Sequence, residues 1–350
     1  MIRKILLLLE GGILVAALLI ALAAWQQHRV LHTPLNLTEE YLVDVPAGAT
    51  PGGVLNRLEA EGVLDQAFWV RLYWRFNLRN QALHSGEYRL TPGITALDML
   101  GQWRRGEVVQ YSLTLVEGWN FRQVRAALAR DGRLEQRLAE LSDAELMKAL
   151  DLPGLNPEGR FFPDTYSFVR GMSDHDLLKQ AHARLEKVLA EEWAARAKGL
   201  PYKEPYDALI MASMIEKETG VAYERAEIAG VFVRRLRIGM RLQTDPTVIY
   251  GMGERYKGRI TRADLREPTP YNTYTIDGMP LTPIALVGRE AIHAALNPLD
   301  GTTLYFVARG DGTHVFSNTL EQHNRAVREF QLKRRADYRS SPAPAKPNND

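Results

Sequence analysis

Three hydrophobic patterns follow one another along the chain. Residues 5–25 read ILLLLEGGILVAALLIALAAW, apolar apart from Glu10. About 20 such residues at ~1.5 Å each span a bilayer core, so the run predicts a transmembrane helix. Glu10 sits about one turn inside its start, where a carboxylate can reach the interface. From about Tyr41 an alternating strand, a Gly-containing turn and an amphipathic helix recur. The module appears at LVDVPAG, at YRLTPG and at LTLVEG, each followed by leucines and valines at helical spacing. Period two gives way to period 3.6 across a turn residue each time. Between the first two copies, FWVRLYWRF is an aromatic helix, readable as core or as a sugar platform.

From about residue 116 the predicted helices are longer. A helix over 175–198 places Leu177, Leu178, Ala181 and Leu185 on one face. YDALIMASMIEKET, from Tyr206 to Thr219, is apolar on all sides for nearly three turns, which predicts a buried central helix. YFV, HVF and the EQHN that follows predict a hairpin leading into a last helix.

The two ends differ from the middle. Arg3 and Lys4 precede the apolar run and only Arg29 follows it closely, so the positive-inside rule places residues 1–4 in the cytoplasm and the bulk of the chain outside. The rival is a cleaved signal peptide, but Trp25, Gln26 and Gln27 follow the run rather than a small-x-small site. Residues 336–350 are Pro-, Ser- and Asn-rich without periodicity and predict a disordered tail.

Composition narrows the chemistry. The 350 residues carry 44 Lys+Arg and 42 Asp+Glu, a net charge of +2, which excludes the strongly basic habit of nucleic-acid binders. No cysteine is present, which excludes disulfides, thiolate metal sites and a cysteine nucleophile. His314 and His323 lack metal-ligand spacing, and neither a metal nor any other cofactor is expected.

Two carboxylates close the apolar helix just before Gly220. At ~100° per residue Glu216 and Glu218 project about 200° apart, so they cannot act side by side. A carboxyl at the end of an apolar row is partly desolvated, and its pKa rises toward the range of a general acid. The structural alternative is that either Glu pairs with Arg225, Arg234 or Arg235. Further on, IGMRLQTDPTVIYGMG and PYNTY mix turn residues with amides, hydroxyls and tyrosines, as a sugar-binding wall does.

The runs SMIEKETG, IGMRLQTDPTVIYGMG, EPTPYNTYTIDGMP, YFVARGDGTHVFS and EGRFFPDTY resemble the YceG-like family of endolytic murein transglycosylases. The likeness implies an α+β protein in parts: a transmembrane helix over 5–25, a linker over 26–40, a small LysM-like βα module over 41–115 and a larger α+β catalytic domain over 116–335. It also implies an inner-membrane, single-pass protein with its catalytic part in the periplasm. The implied activity is cleavage within nascent peptidoglycan strands, leaving 1,6-anhydro-N-acetylmuramic acid ends. The family's catalytic glutamate falls in the EKET motif and maps to Glu218, with Glu216 as the fallback or a substrate contact. Position within the matching motifs implies that Gln243, Asp245 and Asn272 orient the sugar, with Tyr250 and Tyr271 as walls. The partners implied are glycan strands, the inner membrane and peptidoglycan synthases of the penicillin-binding type, without nucleic acid. One stretch departs from the pattern: after Gly278 the chain reads MPLTPIALVG where many relatives carry a Pro-Pro-Gly-Pro-Ile run.

One carboxyl suffices for such chemistry, because the muramic acid 6-hydroxyl is the nucleophile. A hydrolase would need a second carboxylate within ~5–10 Å, for which Asp245 and Glu224 are the candidates. A third possibility is a tethered wall-binding scaffold with no chemistry.

Overall fold

The computed structural model describes residues 2–332, so the predicted tail lies outside the described residues. The first helix, α1 (Ile2–His32), is unbroken. Its segment Leu8–His32 is long and apolar enough to cross a membrane, with a mean hydropathy of 2.2. Leu14, Leu18 and Ile20 on it are exposed. The predicted linker therefore begins as helix. Val30 and Leu31 extend α1 into the core of the next element group, because the apolar spacing continues past Gln26 and Gln27.

Two compact units divide the chain. The first comprises residues 1–112 with 133–135 and 167–172. After α1 its order is β1 (Tyr41–Val45), α2 (Pro51–Ala60), α3 (Ala67–Asn77), β2 (Gly86–Leu90) and α4 (Ala96–Arg105). β1 and β2 are antiparallel, with Val43 opposite Tyr88. Alternation sends Val43, Val45, Tyr88 and Leu90 into a core shared with Leu55, Leu58, Trp74 and Trp103. The starts of α2 and α4 are specified locally. Thr50 caps α2, and Thr95 and Asp98 form a capping box on α4. The aromatic helix α3 divides its rings: Trp74 is buried, whereas Phe68 and Phe76 are exposed.

The third strand–turn–helix copy does not join this sheet. β3 (Tyr111–Thr114) precedes α5 (Phe121–Arg130) and α6 (Asp143–Ala149), and it pairs with β4 (Thr165–Phe168). The boundary between the units falls within both strands. The recurrence in sequence therefore marks a reused local device rather than three copies of one unit.

The second unit holds residues 113–132, 136–166 and 173 onward. Its helices are α5, α6, α7 (Asp174–Ala194), α8 (Pro205–Glu218), α9 (Arg225–Arg237), α10 (Asp245–Met252) and α11 (Arg289–Leu296). The hairpin β5 (Tyr305–Ala308) and β6 (His314–Ser317) then leads into α12 (Leu320–Val327). α8 is the central helix: every residue from Ala208 to Ile215 is buried. It packs against α7, α9, α10 and α11. A helix without a polar face is stable only with neighbours on all sides. Ser213, the one hydroxyl in that run, is satisfied twice. It donates to Ile210 O at 2.7 Å and accepts from Ile284 N–H at 3.0 Å. The loop after Gly278 thus packs on α8.

Two glycines mark close approaches. A Cβ on Gly230 of α9 would lie 2.3 Å from Leu299 O, and one on Gly159 would lie 2.5 Å from Pro283 Cβ. Since the Gly230 obstacle is backbone, Gly230→Ala is expected to lose about 1–3 kcal/mol through overpacking. Urea unfolding of the full chain checks this, with Gly132→Ala, which meets nothing within 4 Å, as the neutral control.

Candidate active site

α8 carries Glu216 and Glu218 to its C-terminal end, and the two go separate ways. The Glu216 carboxylate accepts Gly288 N–H at 3.2 Å and lies 3.9 Å from the Arg225 guanidinium. Burial, then the nearby Glu117 carboxylate, raises its pKa against the pull of Arg225. Glu216 is therefore tied to the N-terminus of α11 and to α9. Of the three arginines considered as partners, only Arg225 pairs with a glutamate of the motif. Arg234 and Arg235 spend their guanidinium groups on backbone carbonyls, Arg235 on Leu304 O at 2.7 Å and Leu242 O at 2.6 Å.

Glu218 points elsewhere. Its Oε1 accepts a hydrogen bond from the Thr244 hydroxyl. Burial pushes its pKa up to about 7, against the pull of Thr244 and Arg235 and with a further rise from Asp245. A carboxylate at a helix C-terminus also meets the negative end of the helix dipole, which favours the protonated form further. Thr244 is itself fixed by a threonine cluster: its N–H donates to Thr273 Oγ1 at 3.0 Å, and Thr247 Oγ1 lies 2.9 Å from Thr273 Oγ1.

The other residues named from sequence fall into two sets. Gln243 and Asp245 flank Thr244 and are exposed. Gln243 is in the left-handed region at φ 49°, anchored by its N–H to Thr273 O at 3.1 Å. A non-glycine residue held there marks a loop constrained by its surroundings. Asp245 opens α10, where a carboxylate is favourable, and accepts the Tyr274 hydroxyl at 2.6 Å. Asn272 differs from expectation. It is buried, its amide donates to Asp264 O and Glu267 O at 3.1 and 2.7 Å, and its Oδ1 accepts Tyr274 N–H at 2.9 Å. Its hydrogen bonds hold the loop that carries Tyr271 and Tyr274 rather than facing solvent.

Tyr250 and Tyr271 meet edge to face, ring centroids 4.8 Å apart. Both line a cleft of about 1460 Å³ in the second unit, with Phe121, Arg122, Glu158, Lys217, Pro246 and Lys257 also on its wall. Glu218 is not on that wall; its neighbour Lys217 is, as is Pro246, which follows Asp245.

Glu158 is the functional candidate that sequence reading passed over. It is buried, and its two oxygens accept Phe121 N–H at 3.0 and 3.1 Å while Tyr250 Oη donates to Oε2 at 2.9 Å. Burial pushes its pKa up to about 7, against those hydrogen bonds. The available signal was an acidic residue beside a conformationally special glycine, Gly159 at φ 71°, in the run GRFF. Glu224, a candidate second carboxylate, is occupied. It is buried against His314, accepting its N–H and its Nδ1 side at 2.8 Å each, with Thr219 Oγ1 at 3.3 Å.

The helix end that carries Glu218 thus neighbours a cleft with two tyrosines on its wall. Residues 43–329 match the model of the YceG-like family, and the chain belongs to that family. It is 30% identical over 306 residues to the endolytic murein transglycosylase of Bacillus subtilis (strain 168), covering 82% of this chain and 84% of the relative. It is 26% identical to the endolytic murein transglycosylase of Streptococcus pneumoniae serotype 2 over 82% of its own length, and spans 58% of that longer protein. A solved YceG-like protein of Listeria monocytogenes superimposes with a TM-score of 0.51 at 29% identity, over 82% of this chain and 99% of that one.

The Glu224–His314 contact ties the turn after Glu218 to β6. His314→Ala is expected to cost about 1–3 kcal/mol, because it leaves a buried carboxyl short of a partner. Thermal unfolding checks this. Adding Glu224→Gln should cost less in the His314→Ala background than in the wild type, since the contact to the imidazole is already gone there and only the backbone N–H contact remains.

Proposed function

We propose that the protein is a membrane-anchored endolytic murein transglycosylase in which Glu218 acts first as acid and then as base. The observation that carries the reading is the Glu218 carboxyl, half-buried at the end of α8, bonded to Thr244 and with a pKa pushed up to about 7 by desolvation. Near neutral pH a substantial share of it is protonated, as a general acid requires. Glu218 gives its proton to the glycosidic oxygen as the bond from that oxygen to C1 of the muramic acid breaks. The resulting carboxylate takes the proton of the same sugar's 6-hydroxyl as O6 bonds to C1. The acid is regenerated, no water enters, and a 1,6-anhydro end forms. Proximity of O6 and C1 within one ring makes the closure effectively intramolecular.

Gln243 and Asp245 are the groups we assign to sugar contact, since both are exposed beside Thr244. The negative Asp245 also favours positive charge developing at C1. Tyr250 and Tyr271 supply the aromatic wall, and Asn272 holds the loop behind them. The substrate class rests on the named relatives, and the open cleft suits attack within a strand. In this reading α1 spans the inner membrane and the remainder lies in the periplasm. The first unit, with its β-α-α-β order, serves as a LysM-like module that spaces or binds glycan, and glycan synthases are its neighbours.

Asp245 keeps a two-carboxylate hydrolase as the second reading, because its charge acts directly on Glu218. Mass spectrometry of uncrosslinked glycan strands after digestion separates the two. Anhydro ends, one water lighter than reducing ends, are expected from the wild type. Glu218→Gln is expected to lose about 10²–10⁴-fold in rate. Reducing ends would replace this mechanism with hydrolysis, and undiminished cleavage by Glu218→Gln would remove Glu218 from it.

The pH dependence follows from the same group. Its acid form is lost as pH rises through about 7, so kcat/KM should decline on that limb. Thr244 lowers the Glu218 pKa, so Thr244→Val should move the limb to higher pH. Stability runs parallel. The folded chain binds a proton at Glu218 that the unfolded chain has released above its ordinary pKa of 4.5. This group's contribution to stability is thus lost as pH rises from about 4.5 through about 7. Glu218→Gln should therefore raise Tm at pH 8 and change it little at pH 4, measured by scanning calorimetry.

A further inference from the structure

The first unit carries aromatic side chains at the point where the apolar helix leaves its hydrophobic stretch. Gln26 Nε2 donates to Gln66 Oε1 at 2.6 Å and Gln27 Nε2 to Trp69 O at 3.3 Å, so the start of α3 lies directly beside residues 26 and 27 of α1. Trp25 is 59% exposed and Phe68 55% exposed. Phe68 stands edge-on to Trp69 at 5.2 Å, and the Arg29 guanidinium lies 5.2 Å over the Trp25 ring.

Helix arithmetic sets the depth of this cluster. Residues 5–25 rise about 31 Å at ~1.5 Å per residue, close to the ~30 Å thickness of a hydrocarbon core. With Arg3 and Lys4 at one face of the bilayer, Trp25 reaches the other face, and Gln26 and Gln27 lie only about 1.5–3 Å further along the axis. The polar layer on each side is about 5–7 Å thick. The side chains that begin α3 therefore fall within that layer and not in bulk water. Aromatic residues partition to this depth, and an arginine beside them faces the phosphates.

We propose that Phe68, together with Trp25 and Trp69, is a second membrane contact that seats the first unit on the lipid surface. The inference rests on the reading of α1 as a membrane span. It assigns the exposed Phe68 ring to lipid headgroups and the upper acyl chains rather than to glycan or to another protein. Continuity with the span is what selects lipid: the same α1 residues that end the apolar stretch hold α3 through the two glutamine bonds. Two attachment points restrict tilting of the unit about the end of α1, which a flexible tether would allow.

The cysteine-free chain makes the test clean. Single cysteines at Phe68, Leu18 and Leu320, each exposed, are nitroxide-labelled in the full-length protein. The protein is then reconstituted in phosphatidylethanolamine–phosphatidylglycerol vesicles. Collision rates with oxygen and with a water-soluble nickel chelate report depth. Leu18→Cys should favour oxygen strongly and Leu320→Cys the chelate, with Phe68→Cys several-fold nearer the oxygen-rich limit than Leu320→Cys. A lipid signal at 18 with an aqueous signal at 68 overturns this inference and leaves the span intact. Aqueous signals at both positions overturn the span and the inference with it. Because Phe68 is exposed, its replacement does not test folding.

Discussion

Desolvation of one carboxyl is the constraint on which the second unit turns. α8 is apolar all round, so it must be enclosed by α7, α9, α10 and α11. The enclosure is complete as far as Ile215, and in the last turn Glu218 is half-buried with a hydroxyl for a partner rather than a cation. Arg235 lies close enough to pull on the group, yet its guanidinium is engaged by the carbonyls of Leu242 and Leu304. A salt bridge in its place would lower the pKa and leave a carboxylate unable to donate a proton. The core and the proposed acid are therefore consequences of the same packing.

The two glutamates of the motif show how helical periodicity assigns different work to neighbours. Two positions and about 200° apart, Glu216 is turned to Arg225 and the start of α11, whereas Glu218 is turned to the threonine cluster. One holds the helix end in place and the other is kept free of an ion pair. The Thr244–Thr247–Thr273 cluster then fixes the donor that Glu218 accepts, and Asn272 fixes the loop that supplies Thr273. Buried networks of this kind are costly unless every member is satisfied, which is why so few of these polar groups remain available to a sugar.

Glu158, whose pKa is also pushed up to about 7, has a different environment from Glu218. It accepts one backbone N–H on both oxygens and a tyrosine hydroxyl, and it lies on the wall of the cleft. Through Tyr250 it reaches the tyrosine pair that faces the cleft. The loop after Gly278 is held by backbone contacts and by the Thr282 hydroxyl, which lies 3.1 Å from Tyr271 Oη and donates to Pro283 O at 2.7 Å. Ile284 N–H reaches Ser213, and Leu286 pairs with Gly118 and Trp119.

Several features were legible from the sequence alone because their causes are local. The apolar helix at the start, the capped helices and the all-apolar α8 follow from spacing and propensity, and the motif order brought out the family. The end of α8 stood out because charges closing an apolar row are unusual, whereas the choice of Glu218 over Glu216 came from the family motif. The folding together of distant segments decided the rest. Asn272 turned inward because carbonyls of residues 264 and 267 came within reach of its amide. Glu158 acquired its environment from Phe121 and Tyr250, which lie 37 and 92 residues away in the chain. The third strand–turn–helix copy paired with β4 instead of the first sheet. A sequence states which groups can accept or donate a bond, but burial and partner choice depend on which segments pack together, and those segments are remote along the chain.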